Sequence, residues 1–158
     1  MVQEYQKTIL SLFIGLELKL AELYNALAEI FPKESAFFKN QHVEELKHAQ
    51  WMEYFKDKVE AGEILFKEDK TRTYTLKSFI AHIQTILDDA RSGKLAILAA
   101  LSLSASIEES LIERKAFDHF ITDSLELQTI LKRLLAETGE HAAVIKQLKI
   151  KYSKPAAR

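Results

Sequence analysis

Glycine and proline are so scarce in this chain that the few helix-breaking positions divide it into long uninterrupted segments. The 158 residues include only four glycines and two prolines. Breaks fall at Pro32, at Gly62, at Gly93 and at residues 122–124, and the stretches between them have the apolar spacing of helices. The sequence therefore predicts long helices over residues of about 3–30, 34–60, 94–121 and 124–150.

The connection between the second and third predicted helices, residues 61–93, is much longer than the other two. It contains an amphipathic stretch from Leu76 to Ala90, which predicts an additional short helix. Tight turns make helices one and two antiparallel neighbours, and likewise helices three and four, while the long connection can carry the chain across the bundle. The predicted fold is all-α: a four-helix bundle with one long crossover, in a single domain over residues 1–158.

Polar side chains interrupt the inward-facing apolar stripe of every predicted helix near its middle. Steps of three and four residues define each stripe, because residues so spaced share one face of a helix. The interrupting residues with metal-binding chemistry are Glu17 on the first helix, Glu45 and His48 on the second, Glu108 on the third and His141 on the fourth.

Carboxylates that converge inside an apolar core must be neutralised, since an isolated buried charge costs several kcal/mol. A bound metal ion would do this, and oxygen and imidazole ligands suit iron, manganese or zinc. The alternative is a relic site, in which protonated carboxylates and hydrogen-bonded histidines persist without metal.

The sequence around these positions resembles the ferritin-like superfamily, and especially its rubrerythrin-type members, from Leu10 to Leu148. The resemblance implies a ferritin-like bundle and a centre of two iron ions, or one, with manganese or zinc as other metals. The segments that carry it are Gly15-Leu16-Glu17 with Tyr24 seven residues on, Glu44-Glu45-Leu46-Lys47-His48-Ala49, Ile107-Glu108-Glu109-Ser110 and Glu140-His141-Ala142.

The resemblance also implies a role for each ligand. Glu17 and Glu108 would be terminal carboxylate ligands, and Glu45 would bridge the two ions. His48 and His141 would supply the imidazole ligands.

One ligand that the resemblance implies is missing from this chain. The second Glu-x-x-His of the family would place a bridging Glu at position 138, where this chain has Thr138. On a regular helix the neighbouring Glu137 points about 100° away from the stripe. Glu137 could replace the missing ligand if the helix is locally overwound or bulged, and Gly139 would allow such a distortion.

Tyr24 lies two helical turns after Glu17. It resembles the tyrosine found beside many ferritin-like metal sites, where this residue can hydrogen-bond a ligand or supply an electron, and a catalytic role is therefore predicted. The alternative is core packing with a satisfied hydroxyl group.

The function that the resemblance implies is a rubrerythrin-like di-iron oxidoreductase, which reduces peroxide or dioxygen with ferrous iron. The chain has no cysteine, so a rubredoxin-like centre is excluded and a separate electron donor is expected. The alternative is a non-catalytic metal-binding or interaction module whose site is degenerate at Thr138. A purely structural bundle is a third hypothesis. A homodimer is expected rather than a cage, since no further helix is evident after the fourth long one.

Charge and hydropathy limit the possible partners and location. The formal net charge is −1, which disfavours binding to nucleic acid or to an anionic membrane. The longest apolar run, residues 95–101, is about a third of the roughly 20 residues that a membrane span needs. No secretory signal pattern is recognised at the N-terminus, and we expect a cytoplasmic protein.

Overall fold

The computed structural model describes residues 3–67, 73–114 and 116–154. Helices account for most of these residues, which confirms the predicted all-α class. The described α-helices are α1 (Glu4–Ile30), α2 (Ser35–Glu60), α3 (Thr73–Arg91), α4 (Ile97–Arg114) and α5 (Leu125–Ser153); the 3-10 turns are Pro32–Glu34 and Ala116–His119; the strands are β1 (Leu65–Phe66) and β2 (Phe120–Ile121).

The helix ends follow the local chemistry of the breakers. Pro32 begins the 3-10 turn that separates α1 from α2, since proline lacks the N–H that a continuing helix would need. Gly62 and Gly93 have positive φ angles of 79° and 74°, a backbone conformation that glycine adopts without a Cβ clash. At the start of α5, the Ser124 side chain accepts a hydrogen bond from the backbone N–H of Leu127.

Helix α1 packs against both α2 and α3, and α4 packs against α5. The buried apolar residues form two clusters. One includes Leu20, Phe38 and Ile145, and the other includes Phe13 and Phe55. Along α1, α2 and α5 the polar stripe residues fall between the members of these two clusters. The candidate site is therefore a polar layer between two apolar ones.

The third predicted helix, residues 94–121, is too long. Helix α4 ends at Arg114, and the chain then forms a 3-10 turn and strand β2, which pairs antiparallel with β1. The ring of Phe120 lies 5.1 Å from that of Phe55 and 5.0 Å from that of Phe66, measured between centroids. This aromatic packing and the strand pairing replace the further helical turns that the apolar spacing had predicted.

The predicted short helix at 76–90 is present and longer than expected, since α3 spans Thr73–Arg91. Its buried residues Leu87 and Ile83 belong to the core around α1. None of the helices in the described ranges combines the length and apolar character that a membrane span requires.

We predict that Ile83→Ala lowers the free energy of unfolding by about 2–5 kcal/mol, because it leaves a cavity in the core. Ile83 is 0% exposed and packs in the cluster that contains α1 residues. The matched control is Ile150→Ala, whose side chain is 55% exposed. Chemical denaturation measures both; equal and small effects would show that α3 is not part of the folded core.

Candidate metal centre

Helices α1, α2, α4 and α5 each contribute to one buried polar cluster. Its members are the five predicted stripe residues, and each of them is buried. They are Glu17 from α1, Glu45 and His48 from α2, Glu108 from α4 and His141 from α5.

The cluster contains a first group of three ligand-type side chains: Glu17, Glu45 and His48. One potential ligand atom from each lies within 4.8 Å of the other two. The Nδ1 atom of His48 is 3.3 Å from Oε2 of Glu45 and 3.9 Å from Oε2 of Glu17. These separations leave the three side chains able to contact one common cation.

A second group consists of Glu45, Glu108 and His141, again with one ligand atom of each within 4.8 Å of the others. The Nδ1 atom of His141 is 3.1 Å from Oε1 of Glu45. Glu45 therefore turns one carboxylate oxygen toward His48 and the other toward His141. It is the residue that the two groups share.

The cluster is rich in buried polar atoms that make no hydrogen bond of acceptable geometry. Although His141 Nδ1 lies close to Glu45 Oε1, neither atom is satisfied by a hydrogen bond. Such atoms normally find partners because burying them unpaired is costly. In the described part of the chain they are Glu17 Oε2, Gln41 Oε1, Glu45 Oε1, His48 Nε2, Ser104 Oγ, Glu108 Oε2 and His141 Nδ1.

These orphaned atoms fit a bound metal ion. Five of the seven belong to carboxylates and imidazoles, which are the donors that iron, manganese and zinc accept. The other two, on Gln41 and Ser104, lie one helical turn before Glu45 and Glu108. All of them belong to the same polar layer.

The three buried carboxyl groups have different pKa values. Burial, followed by the nearby Glu45 carboxylate, raises the pKa of Glu17 well above its usual value and that of Glu108 to about 8. Burial also acts to raise the pKa of Glu45, but the adjacent imidazoles of His141 and His48 outweigh it and lower this pKa to about 2. Without a cation, Glu45 is ionised, whereas the carboxyl groups of Glu17 and Glu108 retain their protons near neutral pH.

Tyr24 is buried beside the second group. Its hydroxyl donates a hydrogen bond to Oε1 of Glu108 over 2.5 Å, and its ring stacks on that of Phe38. Burial, followed by the Glu108 and Glu45 charges, raises the pKa of Tyr24 well above its usual value of 10.0. The hydroxyl therefore keeps its proton and can orient Glu108, while the ring packs in the core.

Thr138 stands at the position where the resemblance implies a bridging Glu, and it contributes no carboxylate to the cluster. Its hydroxyl donates to the backbone carbonyl of Leu134 over 2.9 Å, as threonines on helices often do. Helix α5 runs unbroken from Leu125 to Ser153, and Glu137 is not among the side chains grouped around Glu45.

Glu137 instead lies on the outer side of His48. Its Oε2 atom is 3.8 Å from His48 Nε2 and 3.0 Å from Lys47 Nζ, and its Oε1 accepts a hydrogen bond from Arg133 over 2.7 Å. Glu137 belongs to neither of the two buried groups.

Glu44 was not predicted as a site residue, yet it forms a third ligand-type group with His48 and His141. Its position four residues before His48 places the two side chains on neighbouring turns of α2. That spacing was visible in the sequence, but it is common on charged helices and gave no reason to select Glu44. Its neighbour Lys47, 3.3 Å from Glu44 Oε2, was also missed.

We predict that the metal-free protein loses stability as the pH rises from about 4.5 to about 8. Glu108 has a folded-state pKa of about 8 against an ordinary value of 4.5, so its protonated form is favoured by folding. The stabilisation is complete below the unfolded-state pKa and disappears as the pH rises through the folded-state value. Glu17 acts in the same direction.

Denaturation of chelator-treated protein at pH 5 and pH 8 measures this effect. Glu108→Gln should reduce the difference in unfolding free energy between the two pH values by more than about 1 kcal/mol. The control Glu109→Gln removes the neighbouring, partly exposed carboxylate and should leave the difference unchanged. Identical pH dependence in the two variants would contradict the assignment.

Comparison of the chain with protein-family models, with curated proteins and with solved structures gave no match. The geometry of the buried cluster is therefore the basis on which its function is inferred.

Proposed function

We propose that the chain is a ferritin-like four-helix-bundle protein of rubrerythrin type that holds a pair of iron ions and reduces peroxide or dioxygen. One observation carries the proposal: two groups of three ligand-type side chains share a single carboxylate, Glu45. A shared carboxylate between two metal positions is the arrangement of di-iron carboxylate proteins built on helical bundles.

In this proposal, Glu17 and His48 would hold one ion and Glu108 and His141 would hold the other, and the Glu45 carboxylate would be available to both. When bound, two ferrous ions supply the two electrons that, with two protons, reduce hydrogen peroxide to two molecules of water. Manganese or zinc would fit the same donors, but zinc has no redox chemistry.

The protein's own residues prepare the site for this chemistry. The apolar clusters on either side exclude water, which strengthens every electrostatic contact inside. Glu17 and Glu108 hold protons that a cation would displace, so metal binding should release protons. Tyr24 holds Glu108 in one orientation through its hydroxyl. Because the chain has no cysteine, a separate donor must return the ions to the ferrous state.

A second candidate function is metal binding without oxidoreductase activity. It is favoured by Thr138, whose hydroxyl is engaged by its own helix, and by Glu137, which is held by Lys47 and Arg133. With a single shared carboxylate, the pair of ions has fewer bridging ligands than the resemblance implies. In this function the centre would stabilise the bundle or an interaction surface.

Anaerobic loading with ferrous iron, followed by elemental analysis, tests the leading proposal. We expect two irons per chain and, on addition of peroxide, rapid oxidation seen as near-ultraviolet absorption. Glu45→Gln should abolish both because it removes the shared ligand, and Glu109→Gln, a charge-matched change on α4, should abolish neither. Two bound ions with no oxidation would favour the second candidate, and no bound iron would contradict both.

Tyr24→Phe tests the positioning of Glu108. The variant should still bind two irons, but we expect iron affinity or the oxidation rate to fall by about 10–100-fold, as is usual when a partner of a metal ligand is removed. Tyr74→Phe, at a tyrosine that is 78% exposed, is the matched control. Wild-type affinity and rate in Tyr24→Phe would show that the ring matters only for packing.

A further inference from the structure

The imidazole of His48 has an outer side as well as an inner one. His48 turns Nδ1 toward Glu45 and Glu17, while its Nε2 lies 3.8 Å from Glu137. That Nε2 atom is buried and makes no hydrogen bond. A buried nitrogen with no partner, facing a carboxylate, is suited to a cation.

Glu44 approaches the imidazoles from the same helix as His48. One of its oxygens lies within 4.8 Å of a nitrogen of His48 and of a nitrogen of His141. The Glu44 and Glu137 side chains are 28% and 18% exposed, whereas the inner carboxylates are buried. This outer group, Glu44, His48, His141 and Glu137, therefore stands between the inner cluster and solvent.

Two basic side chains cover the outer group. Lys47 Nζ lies 3.3 Å from Glu44 and 3.0 Å from Glu137, so one ammonium group joins the two carboxylates. Arg133 contacts the other oxygen of Glu137. Both basic residues are substantially exposed, at 33% and 71% of their side chains, so their contacts with the carboxylates are weak and can be exchanged for a cation.

We propose that the outer group is a second binding site for a divalent transition-metal cation, covered by Lys47, and that it delivers cations to the inner centre. The delivery role rests on the proposed function, whereas the outer site itself does not. Its donors are the Glu44 carboxylate and the two imidazoles, with Glu137 beside His48, and such ligands suit the same metals as the inner cluster.

The outer site and the inner centre share His48 and His141. This sharing explains why the outer site would hold an ion only transiently. A neutral imidazole offers a lone pair on only one of its two nitrogens. When His48 binds a cation on its outer side through Nε2, its Nδ1 carries the proton and cannot serve the inner group. Occupancy of the outer site through His48 is therefore incompatible with a complete inner centre, so an ion held there must leave His48 Nε2 before the inner centre can be completed.

Cobalt(II) is a suitable probe because its visible absorption reports binding without any turnover. Mixing the metal-free protein with cobalt in a stopped-flow instrument gives the loading rate, and equilibrium dialysis gives the stoichiometry. We expect Glu44→Gln to load about tenfold more slowly, as expected when a carboxylate that attracts cations is lost, with unchanged final stoichiometry. Lys47→Met should load faster, because the competing ammonium is gone.

Matched controls lie on the same helix. Glu53→Gln removes an exposed carboxylate of α2, and Lys39→Met removes an exposed ammonium of α2. Both should load at the wild-type rate. A wild-type rate in Glu44→Gln, or loss of tightly bound cobalt in that variant, would overturn the delivery role.

Glu45→Gln separates the outer site from the inner centre, because Glu45 is the ligand that both inner positions share. This variant should lose tight binding of two ions and keep one weakly bound cobalt, which the double variant with Glu44→Gln should lose. No cobalt in Glu45→Gln would overturn the outer site. If the wild-type protein binds cobalt that Glu44→Gln abolishes and Glu45→Gln does not, the outer site stands and the paired inner centre fails.

Discussion

The burial of three carboxyl groups in one layer is the constraint on which the rest of the structure depends. Glu17, Glu45 and Glu108 come from three different helices, so the packing of α1, α2 and α4 brings them together. Burial in apolar surroundings makes each charge costly. The fold can tolerate the layer only with protons or with cations, and the cluster has buried polar atoms with no hydrogen-bond partner.

Glu45 differs from the other two carboxyls because both imidazoles are directed at it. His48 and His141 lower its pKa to about 2 despite complete burial. The ionised carboxylate therefore stands at the centre of the layer, with protonated groups on either side. This charge distribution suits a site in which the ionised Glu45 would attract cations, while Glu17 and Glu108 would release their protons when cations bind.

The outer side of the cluster is built differently from the inner side. On helix α5 the Thr138 hydroxyl bonds to its own helix, and Glu137 is turned toward Lys47 and Arg133. The Glu137 carboxylate thus lies 3.8 Å from the outer nitrogen of His48.

Helical periodicity was sufficient to predict the five buried ligand-type residues, because spacing alone determines which side chains share a face. It could not predict the end of α4, since Phe117 and Phe120 have the three-residue spacing of a helix while Phe120 packs in a strand beside Phe55. Nor could it place Glu137, whose orientation depends on Lys47 from another helix. Contacts between segments that are distant in the sequence determine both the end of α4 and the orientation of Glu137.

Anomalous diffraction from crystals grown anaerobically with ferrous iron would test the central claim most directly. The account predicts two iron peaks about 3.5–4 Å apart, the separation of paired metal sites, one on each side of the Glu45 carboxylate. A single peak, or no peak within ligand distance of Glu45, would contradict it.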